Sequence, residues 1–204
     1  TIMAVNCLIY WGSSALTAGR YHYDFTMAFD REVPLLPVFV WFYILAFPFW
    51  AVGYLLAARR GKDMFYRFVA TDLTIHFICF ICFILIPTTN IRPEIAGNTL
   101  SEKILALVYS LDGGNSPSNL FPSIHCYVSW MCWKGVEGSE KVPKWYQRFS
   151  LVFAILIIIS TQVLKQHYIV DAAAALLLVE FFWRFYQKGQ RHKWVVHIFS
   201  HKKK

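Results

Sequence analysis

Apolar segments recur along the whole chain and constrain its fold more than any other feature of the sequence. A helix needs about twenty mostly apolar residues to cross the hydrocarbon core of a bilayer, although tilted or paired helices tolerate fewer. Six segments qualify, at residues 2–18, 36–58, 64–87, 120–136, 149–165 and 168–187. The first and fourth are weak alone because each contains several polar residues. The sequence therefore predicts an all-α polytopic membrane protein with six transmembrane helices in one bundle.

The composition supports a membrane protein. Of the 204 residues, 57% are hydrophobic and 16% are charged, whereas a soluble domain has about 45–50% apolar and about 25% charged residues. This length suits a single domain over residues 1–204. The net charge of +8 comes from basic residues between the apolar runs and in a tail at residues 188–204. Anionic lipid head groups are a simpler partner for such residues than nucleic acid, so we expect a phospholipid bilayer and no nucleic acid.

The distribution of Lys and Arg predicts the orientation. In a six-span chain, fifteen of the 20 basic residues fall on one side of the membrane and five on the other. Because cytoplasmic loops carry the excess of Lys and Arg, both termini are expected in the cytoplasm. A five-span alternative would divide the basic loops between the two sides. The short chain is compatible with a bacterial plasma membrane, and the sequence predicts no oligomeric state.

Two longer connections lie on the outer side in this topology. The first mixes aromatic, charged and proline residues and predicts a short interfacial helix at about residues 22–32. The second, residues 88–119, is rich in Asn, Gly, Ser, Thr and Pro and contains a short helical pattern from Leu100 to Leu111. Long loops over a rigid scaffold often carry functional residues.

Ionisable residues also lie inside two of the predicted spans. Asp72 and His76 stand four residues apart in the third span. A hydrogen-bonded pair that holds helices together is favoured over a proton path. Glu180 and Arg184 in the sixth span are also four apart and predict a local ion pair.

Three polar clusters, at residues 90–93, 119–125 and 165–171, converge on the outer membrane boundary in this topology. Arg92 offers a planar set of donors that suits phosphate oxygens, and Lys165 adds a second positive charge. Pro122 suits the first turn of a helix, whose free amides would bind an anion together with the Ser123 hydroxyl. The clusters therefore predict a site that handles phosphate.

Two histidines in these clusters predict the chemistry. If the residues after Tyr168 are helical, His167 and Asp171 lie on one helical face, and the carboxylate can hold one ring nitrogen while the other faces a substrate. A polar pair that only caps the helix is the alternative. His125 supplies a second imidazole, so that one ring could attack a bound phosphate and the other could protonate the leaving oxygen.

These clusters resemble the signature of the type-2 phosphatidic acid phosphatase superfamily of integral membrane lipid phosphatases. That signature has Lys, six residues and Arg-Pro, then Pro-Ser-Gly-His, then Ser-Arg, five residues, His, three residues and Asp. The corresponding residues here are Arg92-Pro93, Pro122-Ser123-Ile124-His125, and Ser160-Thr161 followed by His167 and Asp171. Order, spacing and the six predicted spans all agree, so the resemblance covers most of the chain.

The resemblance implies a role for each matched residue. His167 would attack phosphorus and form a phosphohistidine, and Asp171 would orient and polarise His167. His125 would protonate the departing lipid oxygen and then activate water. Arg92 and Ser123 would bind the phosphate oxygens. The resemblance implies no metal or other cofactor, and a membrane lipid substrate such as a phosphatidate-like lipid or a prenyl diphosphate.

The chain departs from the signature at three positions. Leu85 stands where the first Lys is expected, Thr161 replaces the Arg, and Ile124 replaces the Gly. Two cations are therefore missing, and Lys165 is a candidate replacement for one. A phosphomonoester dianion needs more positive charge than a phosphodiester monoanion. A lipid phosphotransferase similar to the sphingomyelin and inositol-phosphorylceramide synthases therefore stays open, as does a non-catalytic lipid-binding membrane protein.

Overall fold

The computed structural model describes residues 2–114 and 117–200, with side chains from residue 9 to 114 and from 117 to 198. It is 69% helical. In chain order, its elements are α1 (Ile2–Thr17), β1 (Tyr23–Asp24), α2 (Ala28–Glu32), a 3-10 turn (Pro37–Phe39), α3 (Val40–Ala58), α4 (Lys62–Leu85), β2 (Thr88–Thr89), α5 (Leu100–Leu111), α6 (Ile124–Val136), α7 (Lys144–Val163), α8 (Ile169–Gln187) and α9 (Lys193–Ser200).

Each predicted span contains a helix, but the helices differ in how well they suit a membrane. Among the described residues, three segments are long and apolar enough to cross one: Pro37–Ala58, Lys62–Leu85 and Lys144–Val163. Helices α1 and α6 have 16 and 13 residues, fewer than the roughly twenty that a crossing needs. The chain is therefore helical with three candidate membrane-spanning helices among its described residues. The six-span bundle stays a prediction, because α1, α6 and α8 are not among these candidates.

Helix α6 is short but lies at the centre of the fold. It packs against α3, α7, α8 and α4, while α4 also packs against α8 and α1. The core between these helices contains fully buried large side chains such as Phe68, Ile75, Tyr127 and Met131. Because α6 is surrounded on several sides, the residues at its first turn are fixed by its neighbours.

Two glycines allow α6 to approach its neighbours closely. A methyl carbon on Gly53 of α3 would lie 2.7 Å from Cβ of Cys132 in α6. A methyl carbon on Gly135 would lie 2.9 Å from the Phe68 ring and 3.0 Å from Cβ of Ala57. Small residues of this kind let helix backbones pack tightly inside membranes.

The outer connections differ in part from the prediction. The interfacial helix expected at residues 22–32 is wrong in its first half, since only Ala28–Glu32 is helical. Tyr23–Asp24 instead forms a strand that pairs in parallel with Thr88–Thr89. This pairing joins segments far apart in sequence, so local patterns do not reveal it. Helix α5 occupies the predicted range because Thr99 caps it, with its side chain accepting from the Glu102 amide at 3.2 Å.

The first part of the C-terminal basic segment forms a helix that packs on the rest of the protein. Helix α9 packs against α4, and Val195 is fully buried. His192, just before α9, places Nε2 2.8 Å from Asp63 Oδ1 at the start of α4. The part of the predicted tail at residues 201–204 lies outside the described residues.

Candidate active site

The structure brings the three polar clusters into direct contact. The Asn90 side-chain amide donates to the Lys165 carbonyl at 2.9 Å. Arg92 Nη2 donates to Gln166 Oε1 at 2.5 Å. The Ser123 amide donates to the Asp171 carbonyl at 3.3 Å, which fixes the start of α6 against the start of α8. Segments 75 residues apart in the chain thus meet around the turn that carries His167.

Asp171 holds His167 and caps α8 with the same oxygen. Its Oδ2 lies 3.2 Å from His167 Nδ1 and accepts the Tyr168 amide at 3.0 Å. A carboxylate accepts hydrogen bonds, so this contact suits the tautomer in which Nδ1 donates, and in that neutral imidazole the Nε2 lone pair is directed away from Asp171. The helix-cap and orienting interpretations of this pair are therefore compatible. Asp171 is 1% exposed and His167 is 9% exposed.

His125 projects from the first turn of α6 into an aromatic enclosure. Its ring stacks on Tyr43 at 4.3 Å between centroids and packs against Trp50 at 5.0 Å. The His125 and His167 ring centroids are 6.2 Å apart. His125 Nε2 is buried and has no hydrogen-bond partner among the described residues. The enclosure, which the sequence did not indicate, therefore fixes the ring while leaving one nitrogen available.

The start of α6 differs from the prediction for Pro122. The helix begins at Ile124, with Ser123 as its N-cap, so Pro122 lies before the cap rather than in the first turn. The Ser123 hydroxyl accepts from the Cys126 amide at 3.3 Å. Because the Ser123 hydroxyl binds a free amide of the first turn, Ser123 is the residue that caps the helix, and Pro122 lies outside it. Its own O–H proton remains able to donate to a bound anion.

The Arg92 guanidinium is buried and held on several sides. Nη1 donates to the carbonyls of Asp112 and Gly114 at 3.1 and 3.2 Å, and Nη2 pairs with the Asp112 carboxylate. The guanidinium carbon lies 4.7 Å from the Tyr109 ring centroid. Within the described residues, Arg92 Nε has no partner. One donor of a rigidly fixed cation is therefore left for a ligand.

Lys165 is used to anchor α2. Its ammonium donates to the carbonyls of Asp30, at 2.6 Å, and Val33. The Asp30 carboxylate in turn accepts the Ile169 amide at 2.9 Å and the Met27 amide at 2.8 Å. Asp30 and Lys165 therefore clamp α2 to the turn that carries His167. Asp30 was not identified from the sequence, because an acidic residue in a short helix does not indicate a contact with a segment as distant as Ile169.

A cavity of about 480 Å³ with several charged and polar side chains in its wall adjoins these residues. Its walls include Asn90, Arg92, Lys165 and Tyr168, with Asp24 and the exposed Arg31 among the others. Its volume is within the range of small-ligand sites. Among the described residues that line it, neither His125 nor His167 is present. The cavity therefore lies beside the paired histidines rather than between them.

Two charged groups of this cavity, Lys165 and Asp24, have shifted pKa values. Burial lowers the pKa of Lys165, and the nearby Asp30 carboxylate opposes that shift. Partial burial acts to raise the pKa of Asp24, but hydrogen bonds from Thr26 outweigh it and hold the pKa below its usual value. Asp24 therefore stays ionised at neutral pH and offers a negative charge to the cavity.

At the two positions where the signature has a cation, this chain has uncharged side chains. Leu85 is 64% exposed at the end of α4. Thr161 is fully buried, and its hydroxyl donates to the Ile158 carbonyl at 2.7 Å. Arg31, on the cavity wall, is a cation that the sequence motifs did not identify.

Comparison with known proteins assigns the family. A model of the PAP2 superfamily matches residues 21–184, which contain all three polar clusters. No curated protein and no solved structure matches the chain. Members of this superfamily are generally phosphatases and phosphotransferases, which agrees with a phosphatase-type, lipid-related function. The resemblance drawn from the three motifs is thereby confirmed, and the chain belongs to the type-2 phosphatidic acid phosphatase superfamily.

Proposed function

We propose that the protein is a metal-independent lipid phosphatase that hydrolyses a phosphatidate-like lipid or a prenyl diphosphate through a phosphohistidine. The observation that carries this proposal is the geometry of the two imidazoles. His167 is held by Asp171 at 3.2 Å, and the His125 ring lies 6.2 Å from the His167 ring. Attack on phosphorus needs about 3–3.5 Å, and proton transfer needs about 2.6–3.2 Å. One phosphoryl group can therefore be reached by both rings.

In the first step, His167 Nε2 attacks phosphorus while Asp171 holds the Nδ1 proton. The P–N bond forms as the bond between phosphorus and the lipid oxygen breaks. In the complex with the phosphate dianion, whose negative charge favours an imidazolium, His125 is protonated. It gives its Nε2 proton to the departing oxygen, which leaves as the lipid alcohol. Positive charge that develops on the His167 ring is balanced by the Asp171 carboxylate, which is buried beside it.

In the second step, neutral His125 takes a proton from water. The hydroxide so formed attacks phosphorus, the P–N bond breaks, and inorganic phosphate leaves. His125 ends protonated and His167 neutral, so the starting state is restored. The same residue thus acts first as acid and then as base.

Three further residues support the phosphoryl group in this proposal. Arg92 offers its unpartnered Nε, and Ser123 offers its hydroxyl proton. Lys165 keeps one ammonium proton beyond the two that bind the carbonyls of Asp30 and Val33. We place the site at the outer leaflet of a bacterial plasma membrane, with both termini in the cytoplasm, because this orientation follows from the distribution of basic residues.

Trapping of the intermediate tests the mechanism. Enzyme mixed with substrate labelled on phosphorus and quenched in alkali within one turnover should carry label on His167, and acid should release it. Chelators should change the rate by less than about twofold, since the proposed steps use no metal. Label on another residue, or strong inhibition by a chelator, would contradict the proposal.

The lipid phosphotransferase is a second candidate, and three observations favour it. The cavity of about 480 Å³ is large enough for a head group, and Asn90 in its wall has a buried Oδ1 without a partner in the described part of the chain. The uncharged Leu85 and Thr161 also lower the charge available for a phosphomonoester dianion. In this variant a lipid alcohol replaces water in the second step.

A product analysis separates the two candidates. Purified enzyme is given, in separate reactions, a phosphatidate labelled on phosphorus and a phosphodiester lipid labelled on its head-group phosphorus, the latter together with an acceptor lipid alcohol. Labelled free phosphate from the phosphatidate supports the phosphatase, whereas a new labelled lipid from the phosphodiester supports transfer. If neither product forms with any lipid phosphate, while lipid still binds, the non-catalytic alternative replaces both.

A further inference from the structure

The outward face of α8 carries exposed apolar side chains toward its C-terminal end. Ala172, Ala175 and Val179 are buried against the bundle. Leu177 and Phe181 point away from it and are 70% and 63% exposed. One helix thus has a packed face and a free apolar face.

Three cations surround the free face where α8 ends. Arg184, Lys188 and Arg191 line a groove of about 550 Å³ together with Phe181 and other apolar residues. The Arg191 guanidinium carbon lies 4.3 Å from the Phe185 ring centroid. This contact fixes one cation over the apolar floor rather than leaving it free in solvent.

The carboxylate in the groove pairs with one of these three cations. Glu180 Oε1 lies 3.0 Å from Lys134 Nζ and accepts the Trp130 indole N–H at 2.9 Å. Its other oxygen lies 3.5 Å from Arg184. Lys134 is shared with Glu137, which lies 3.2 Å from it, so Glu180 is balanced by Lys134 and Arg184 together. Lys188 and Arg191 therefore leave the groove with an excess of positive charge.

The groove is far from the paired histidines. Asp171 lies in the first turn of α8, and Lys188 follows its last residue. At a rise of 1.5 Å per residue, these positions are about 26 Å apart along the helix axis. The hydrocarbon core of a bilayer is about 30 Å thick. If α8 crosses the membrane as proposed, the groove therefore lies at the cytoplasmic leaflet.

We propose that this groove is a binding site for an anionic phospholipid of the cytoplasmic leaflet. The phosphate lies among Arg184, Lys188 and Arg191, and an acyl chain covers Phe181 and Leu177. Each basic residue near an anionic surface raises affinity about fivefold, so three give up to about 100-fold. The apolar floor selects a lipid over a soluble phosphate. This site is independent of the chemistry at His167.

Lipid titration of the intact chain tests the proposal. Phosphatidylglycerol is added to the protein in a zwitterionic detergent, and bound lipids are counted by native mass spectrometry. The triple variant R184Q/K188Q/R191Q should lower the affinity about 10- to 100-fold. The matched control K141Q/K144Q/R148Q removes three exposed charges expected on the same side, and it should change the affinity less than threefold.

Further measurements distinguish binding of a lipid from binding of a soluble phosphate, and the groove from the candidate catalytic site. Phe181→Asn should weaken phosphatidylglycerol binding, glycerol 3-phosphate should not compete, and phosphatidylcholine should bind at least tenfold more weakly. Arg92→Ala should leave the groove affinity unchanged, so failure here is distinct from failure of the proposed catalysis. Equal losses in the two triple variants, competition by glycerol 3-phosphate, or equal binding of phosphatidylcholine would overturn the site.

Discussion

Two buried His–Asp pairs in the described part of the chain have the same four-residue spacing, and one of them lies in the turn next to the cavity residues Lys165 and Tyr168. His167 and Asp171 lie at the start of α8, with Nδ1 and Oδ2 3.2 Å apart. Asp72 and His76 lie within α4, with Oδ1 and Nδ1 3.5 Å apart. Each pair leaves one carboxylate oxygen without a hydrogen-bond partner in the described part of the chain. The difference lies in what surrounds the imidazoles.

The His76 ring is engaged by other helices. The Tyr127 hydroxyl of α6 lies 2.6 Å from both ring nitrogens, and the Tyr54 hydroxyl of α3 donates to Asp72 at 2.7 Å. This pair joins three helices, which agrees with the predicted role of a hydrogen-bonded pair that holds helices together. The His167 pair instead faces a second imidazole whose Nε2 is unpartnered within the described residues. Spacing alone therefore does not identify a reactive pair, whereas the partners of the ring nitrogens distinguish the two.

The largest contrast is expected from removing each imidazole. His167→Ala should lower turnover of a lipid phosphate by about 10⁴-fold or more, since the proposed nucleophile is lost. His76→Ala should reduce the folded fraction but keep turnover per folded molecule within about threefold. Phosphate release and thermal unfolding in detergent measure the two effects. Full turnover in His167→Ala would remove the functional difference between the pairs.

The second imidazole of the candidate site should act on the leaving group. His125→Ala should lower the hydrolysis of an alkyl lipid phosphate by about 10²–10⁴-fold. With a nitrophenyl phosphate ester the initial phosphorylation should lose far less, because that leaving group departs without protonation. Rapid-quench measurement of phosphoenzyme formation with both substrates tests this. Equal losses for the two would assign His125 a packing role, as for His76.

The clamp on α2 should affect the His167 pair and leave the inner pair unchanged. Asp30→Ala removes the acceptor of the Ile169 amide. The displaced turn should lower kcat by about 10- to 100-fold, with KM within about threefold. Glu32→Ala, an exposed change in the same helix, is the matched control. A loss that appears only in KM would indicate that Asp30 shapes the cavity instead.

The smallest effect on turnover is expected at the inner carboxylate. Asp72→Asn keeps the shape of the side chain but weakens its bonds to Tyr54 and His76. The free energy of unfolding should fall by about 1–2 kcal/mol, and turnover per folded molecule should stay within about twofold. Unfolding in detergent followed by circular dichroism measures the change. A large loss of turnover at unchanged stability would show that the inner pair also serves catalysis.

Local sequence signals predicted the elements that local interactions determine. Helix α5 follows the predicted range because Thr99 and Glu102 form its cap. The long apolar runs correctly predicted α3, α4 and α7, because hydropathy and length depend only on neighbouring residues. Helix α6 is shorter than its predicted span because it begins after its N-cap Ser123, which leaves Pro122 outside the first turn where it was predicted.

The features that the sequence did not predict depend on contacts between distant segments. The β1–β2 pair joins Tyr23 to Thr88. The clamp of Asp30 on Ile169 and the stacking of Tyr43 on His125 link residues more than 80 positions apart. The motifs predicted which polar clusters would meet, but tertiary packing determines which of their atoms remain available.

The two glycines at the α6 interfaces limit how this protein can be engineered. Replacing a helical glycine with alanine is an ordinary way to raise thermal stability. At Gly53 the added methyl would overlap Cys132, and at Gly135 it would overlap Phe68 and Ala57. Either change would wedge α6 outward and carry His125 away from Tyr43. The absence of a side chain at these two buried glycines thus determines the position of the His125 ring, near the N-terminal end of α6.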